Sequence, residues 1–142
     1  MSEFSPIVPE PSAFSLPYWQ SARNHRLSLL RCDNCNRWIN YLKIQCPNCG
    51  SRDLSWQPCS GQGKVYSFSI VYRPATPALK HRVPYVLAVI ELAEGIKVMS
   101  HVIHCPVEHV TIGMDVEVVF DDVDEQRAVP YFQPLSRAKE GV

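Results

Sequence analysis

The chain alternates most clearly in its second half. From Lys64 to Tyr72 the run KVYSFSIVY sets Tyr66, Phe68, Ile70 and Tyr72 at every second position, which predicts a strand with those four side chains on one face. Tyr85 to Leu92, YVLAVIEL, is apolar at nearly every position and reads as a central strand. Ile96 to Ile103 follows across Glu94-Gly95, a hairpin turn whose glycine accepts positive φ, so these two strands are expected to pair. Val116, Val118 and Phe120 alternate with polar neighbours in a fourth strand, and Val129 to Phe132 forms a short fifth. Residues 106–112 leave room for one helical turn between the third and fourth. Five short strands with one brief helix in that place fit an OB barrel, whereas a sandwich needs about seven strands. Closure also removes the exposed edges that so β-rich a chain would otherwise present.

Upstream the period changes. Residues 15–25, SLPYWQSARNH, place Leu16, Trp19 and Ala22 at helical spacing, with Ser15 at the cap and Pro17 in the first turn. A helix this short does not hold alone, so Trp19 must dock, on its own domain or on a partner. Pro6, Pro9 and Pro11 precede it and mark an extended tail. Ser60-Gly61-Gln62-Gly63 punctuates the chain like a hinge or tight turn ahead of the strands.

The strongest chemical signal lies between helix and strands. Cys32-Asp33-Asn34-Cys35 is followed by Cys46-Pro47-Asn48-Cys49. Two residues between cysteines let both thiolates of one turn point at the same metal, and two such turns facing each other close a tetrahedral site of four sulfurs. Each turn needs a residue that tolerates positive φ at its end; Gly50 supplies it after Cys49 and Asn36 after Cys35. One structural zinc is expected, with iron in a rubredoxin-like site sharing the ligands. The metal would stand in for a hydrophobic core in a module too short to fold on packing. Cys59 and Cys105 are left over and read as buried, inert thiols. The expected fold is therefore mainly β: a tail over 1–14, an N-terminal helix and leading strand over 15–31, a zinc ribbon over 32–59, a five-stranded OB fold over 60–136 and a tail over 137–142.

Charge adds one feature. The net charge is zero, yet residues 20–82 hold ten basic and two acidic side chains, a balance of +8, and residues 91–127 hold two basic and nine acidic ones, a balance of −7. The first half is expected to face an anion or the acidic half itself. No run of apolar residues is long enough for a membrane span and no secretory leader is read, so a reducing cytoplasm is expected. There is no G-x-S-x-G, H-E-x-x-H or glycine-rich phosphate loop. His101 and His104, three apart on an expected strand, point to opposite faces. No catalytic set emerges.

The whole pattern resembles a known family. The matching stretches are L-x-x-x-R-C-x-x-C at Leu27 to Cys35, C-P-x-C-G-S at Cys46 to Ser51, S-G-x-G-x-V-Y-S at Ser60 to Ser67, Tyr85 to Leu92 with Glu94-Gly95, Ile112-Gly113-Met114 with Val116 and Val118, and Tyr131-Phe132-Gln133-Pro134. In these the chain is similar to the acyl-CoA-associated zinc-ribbon/OB-fold proteins, once catalogued as a domain of unknown function. The resemblance implies a rubredoxin-like zinc ribbon and an OB fold. It also implies a non-catalytic accessory subunit that docks on a thiolase-like, hydratase or aldolase acyl-CoA enzyme and helps bind or cover CoA thioesters. The family's Pro-Pro-Arg-like segment between the knuckles is replaced here by Asn40-Tyr41-Leu42-Lys43.

Two other functions compete. A single-stranded nucleic-acid module could use Tyr66, Phe68 and Tyr72 as stacking platforms, although a pI near 6.9 argues against it. An iron electron carrier would be coloured. For the site of action, the connection from Arg73 to Pro84 is long, stiffened by Pro74, Pro77 and Pro84, and carries Arg73, Lys80 and Arg82. With Trp19 it is the expected contact to a partner enzyme or to the phosphates of its CoA.

Overall fold

The computed structural model describes residues 12–39, 43–73, 77, 80–125 and 127–135. The expected tails at 1–14 and 137–142 lie outside them except for Ser12 to Phe14, as do Asn40 to Leu42 and most of the connection between Arg73 and Lys80.

Helix α1 spans Leu16–Arg23 and buries Trp19 and Ala22. Ser15 precedes it but makes no side-chain cap; instead the Ser12 N–H donates to Ser15 Oγ at 2.9 Å and the Ser15 N–H donates to Ser12 Oγ at 3.0 Å. Strands β1 (Ser28–Cys32), β2 (Trp38–Ile39) and β3 (Leu54–Pro58) form an antiparallel sheet in the order β2-β1-β3. Strands β4 (Gln62–Val71), β5 (Tyr85–Leu92), β6 (Lys97–Val102), β7 (Asp115–Asp122) and β8 (Ala128–Pro134) close a barrel in the order β4-β5-β6-β8-β7, with β7 returning to β4. β6 and β8 run parallel and the other pairs antiparallel. A 3-10 turn at Val107–His109 sits between the third and fourth barrel strands, where one helical turn was expected. This is the OB arrangement.

Period two on β1 serves two cores. Leu29, with Leu27 just before the strand, joins Val65, Val86, Ala88, Ile90, Leu92, Val102, Val110, Val116 and Phe132 in the barrel core. Leu30 and Cys32 face the other way and pack with Ile39 and Cys46. Each fully buried aliphatic side chain in the barrel contributes roughly 1.5–3 kcal/mol. The shared strand locks ribbon to barrel, and the Cys59 N–H donates to Leu27 O at 2.7 Å across the junction.

Two expectations fail for local reasons. Ser60 to Gly63 is no hinge. The Ser60 N–H donates to Glu94 Oε2 at 2.7 Å, the Val118 N–H to Gly61 O at 2.7 Å and the Ala93 N–H to Gln62 O at 2.9 Å. A Cβ at Gly63 would lie 2.5 Å from Glu91 O, so glycine is there for close strand approach. The face Tyr66-Phe68-Ile70-Tyr72 is also broken. The register of β4 on β5 shifts between Val65 and Ser67, so Val65 is buried with Phe68 and Ile70 packed beside it, while Tyr66 is turned out, 54% exposed. Tyr72 lies beyond the strand and is 69% exposed.

Candidate metal centre

The knuckles are built by short backbone bonds. At the first, the Cys32 N–H donates to Arg37 O at 2.9 Å and the Asn36 N–H to Cys32 O at 2.9 Å; at the second, the Cys46 N–H donates to Ser51 O at 2.8 Å and the Gly50 N–H to Cys46 O at 2.9 Å. Asn36 and Gly50 take φ of 64° and 79°, as the turns require.

The two turns bring the four Sγ atoms of Cys32, Cys35, Cys46 and Cys49 within 4.8 Å of one another. Cys32 and Cys49 Sγ are 3.5 Å apart, and Cys35 and Cys46 Sγ 3.7 Å. A tetrahedron with metal–sulfur bonds near 2.3 Å has edges of about 3.8 Å, so the donor set fits one tetrahedral ion. Four protein ligands leave no open position for a substrate or a reactive water.

Hydrogen bonds reach the sulfurs, and they lower two of the four thiols, Cys35 and Cys49. Cys32, despite the Cys35 N–H, is pushed up to about 11, with burial as the main raising cause. The Cys35 N–H donates to Cys32 Sγ at 3.4 Å and the Asn48 N–H to Cys46 Sγ at 3.4 Å. Two side-chain donors went unnoticed in the sequence: Asn34 Nδ2 reaches Cys49 Sγ at 3.5 Å, and Asn48 Nδ2 reaches Cys35 Sγ at 3.6 Å. Each asparagine stands third in its own C-x-x-C and serves the last cysteine of the other knuckle. That repeated Asn was the available signal. The Asn34 amide and then the Ser51 N–H hold the Cys49 thiol down at about 6. The Arg37 N–H and then the Asn48 amide lower Cys35.

The other two thiols are half-buried, not buried as expected. Burial, then the charge of Glu94, pushes Cys59 up to about 12, and burial raises Cys105. His104 is past the end of β6 and its Nδ1 lies 2.6 Å from Gln133 Oε1. His101 is stacked between Tyr85, 4.6 Å away, and Tyr131, 5.5 Å away. Burial and then the Arg82 charge push its pKa down to about 4, so the ring is neutral near pH 7.

The residues expected at a partner surface separate. Trp19 is buried by its own chain, 7% exposed, with Tyr18 edge-on at 5.2 Å. Arg73 and Lys80 are exposed. Arg82 lies over the Tyr131 ring at 4.6 Å and donates from Nη1 to its hydroxyl at 2.8 Å. The rings of Tyr66, Phe68 and Tyr72 form no common stacking platform, because the bulge sends Tyr66 out and Phe68 in. Part of the charge asymmetry closes on itself, through Arg23–Asp122 at 3.2 Å and Lys64–Asp115 at 2.6 Å. A cleft of about 510 Å³ runs between Arg37-Trp38 of the ribbon and Glu94 to Lys97 of the β5–β6 hairpin. No helix among the described residues is long and apolar enough to cross a membrane.

Residues 19–55 match the family described as "ChsH2, rubredoxin-like zinc ribbon domain", and residues 56–121 the family described as "ChsH2, C-terminal OB-fold domain". A DUF35 domain-containing scaffold protein of Methanocaldococcus jannaschii is 37% identical over 97 residues, which cover 68% of this chain and 68% of that protein. A probable enoyl-CoA hydratase alpha subunit of Thermomonospora curvata is 30% identical over 129 residues. The match covers 91% of this chain, which spans only 39% of that protein's length. Among solved structures, a chain of an "Ltp2-ChsH2(DUF35) aldolase" superposes with a TM-score of 0.78 at 29% identity, over 89% of this chain and 98% of that one.

Proposed function

Since the chain belongs to the DUF35 family of zinc-ribbon and OB-fold proteins, we propose that it is a non-catalytic scaffold subunit that docks on an acyl-CoA enzyme and helps bind or cover its CoA thioester. The observation that carries this reading is the closed, four-cysteine site in a chain whose remaining thiols are half-buried and raised. Such a site organises a fold and offers nothing to a substrate. The relatives support the same view. One is named for a hydratase and a solved relative for an aldolase. Hydration and aldol chemistry share no catalytic step, so what a common subunit contributes lies in assembly and in the thioester carrier.

The ion is zinc, held by Cys32, Cys35, Cys46 and Cys49. When bound it supplies charge neutralisation for four thiolates and a rigid cross-link between the two knuckles. The partner is a thiolase-like, hydratase or aldolase subunit, and Arg73, Lys80 and Arg82 are the cations available to its surface or to CoA phosphates.

The test is purification of the tagged full chain from its own cells, followed by identification of bound proteins, metal analysis and assay of the isolated chain on acyl-CoA thioesters. One zinc per chain, a bound acyl-CoA enzyme and no turnover by the chain alone are expected. Turnover by the pure chain, or recovery only with nucleic acid, sinks the proposal.

A further inference from the structure

A closed barrel needs an apolar side chain at every second position, yet β5 is apolar at seven of eight. Val86, Ala88, Ile90 and Leu92 fill the interior. Leu87 and Val89 alternate with them and stand half-buried on the outer side, while Tyr85 on that side is already covered within the chain, stacked on His101. This is the sequence of a strand covered on both faces. The outward pattern continues on the neighbours. Met99, 57% exposed, stands opposite Val89, and His101 stands opposite Leu87. Tyr131 of β8 extends the surface beyond His101. Among the described residues neither α1 nor the ribbon makes a main contact with β5 or β6, although α1 packs on β8. The main contacts of α1 go to β1, β7 and β8, and those of β1 to its own sheet and α1.

The geometry points to this outer face of β5, β6 and β8, with Arg82 at its margin, as the surface that docks on the acyl-CoA enzyme subunit; the inference rests on the function proposed above and names the site of contact. Its composition is that of a protein interface, where Tyr, Met and Arg are enriched. The column Tyr85–His101–Tyr131 holds the Arg82 guanidinium flat and bonded to the Tyr131 hydroxyl, so less ordering is lost when it meets a carboxylate.

Charge at the margins selects the occupant. Arg82 borders one end, and Lys97, paired with Glu91 at 3.8 Å and with its ammonium 4.7 Å from the Tyr66 ring centroid, borders the other. Two copies meeting face to face through a two-fold axis would set Arg82 against the Lys97–Glu91 pair, whose carboxylate is already engaged. Nucleic acid would have to pass Glu91, Glu117 and Asp121 at outward positions of the same barrel. A different protein, apolar at the centre with a carboxylate placed for Arg82, meets neither objection.

The experiment uses the full-length, zinc-loaded chain and, as probe, the acyl-CoA enzyme subunit that co-purifies with it, purified and titrated back in solution. Met99→Asp and Arg82→Glu should each raise Kd at least roughly tenfold. Ile112→Asp, an equally exposed apolar position (64%) in the β6–β7 connection, should leave Kd near wild type. Zinc content and circular dichroism check that each variant folds, and Arg82→Glu keeps the test alive should Met99→Asp fail to. Unchanged Kd for both face variants overturns this surface while leaving the scaffold function standing. A wild-type dimer that Met99→Asp turns into a monomer assigns the face to a second copy and also overturns the proposal. Absence of any acyl-CoA enzyme bound to wild type overturns both.

Discussion

The ribbon and the barrel are two antiparallel sheets joined through one strand, and they are held together by different physics. The barrel packs nine residues of its own into its core, and its five strands bond in a closed ring. Among the described residues the ribbon core buries Leu30, Cys32, Ile39 and Cys46, and two of those four belong to the four-cysteine cluster. Its edge strand β2 is two residues long. Packing on that scale cannot offset the backbone entropy of ordering the loops around the knuckles, about 1–2 kcal/mol per residue. The barrel would be recognisable as a fold without its neighbour; the ribbon, on the function proposed above, needs its ion. The difference teaches where each kind of substitution acts, although β1 ensures that neither region is wholly private.

The largest effect is expected where that difference is sharpest. Cys46→Ser removes a buried ligand, and a serine hydroxyl is a poor replacement for a thiolate. Structural zinc binding is worth about 10–16 kcal/mol in small domains, nearly all of it coupled to folding. Zinc measured by mass spectrometry should fall from one per chain to near zero, with loss of ordered amide signals over residues 28–58. Because Leu27 and Leu29 enter the barrel core from the ribbon side, the barrel's melting temperature should fall as well, yet a cooperative transition should remain. A Cys46→Ser protein with full zinc and unchanged melting would mean that the ribbon folds on packing after all.

The converse variant attacks the barrel. Phe132 is fully buried and lies opposite both Val102 of β6 and Val118 of β7. Phe132→Ala should cost about 3–5 kcal/mol in denaturant unfolding. Below the transition the variant should still carry one zinc. Loss of zinc under conditions where the barrel is folded would show that the two cores are more tightly coupled than the shared strand implies.

Legibility in the sequence follows the same divide. The four-cysteine cluster was readable to the residue, because ligand spacing is a local constraint and Gly50 and Asn36 mark the turns. The barrel strands were readable from alternation, and their number and the brief helical turn pointed to the OB arrangement. The bulge at Tyr66 was not, since Val-Tyr-Ser carries no glycine or proline to announce an extra residue, and one inserted position turns a side chain to the other face. Trp19 showed that it must dock but not on what, because amphipathic spacing does not name the opposing surface. The outward face of β5 was hidden for a related reason. A continuous apolar run says that both faces are covered and leaves the identity of the cover to the fold.

The smallest effect tests how far the ribbon depends on donors beyond its four ligands. Protons and zinc compete for the same thiolates, so a thiol with a depressed pKa keeps its metal to lower pH. Cys49 is held at about 6, and the Asn34 amide is the first cause, ahead of the Ser51 N–H. The depression keeps Cys49 ionised and able to hold the metal below the ordinary thiol pKa, an advantage lost as pH falls through about 6. Asn34→Ala removes the larger donor. Cys49 then protonates at higher pH, and the midpoint of acid-driven zinc release, followed with a chromogenic chelator, should move upward. Asn34 is exposed, so solvent screens the bond and the shift should be no more than about one pH unit. Asn48→Ala should move the midpoint in the same direction through Cys35, where the Arg37 N–H is the larger cause and remains, so its shift should be the smaller of the two. A downward shift for either variant, or equal shifts at both, would show that the asparagines position the knuckles without tuning the thiolates.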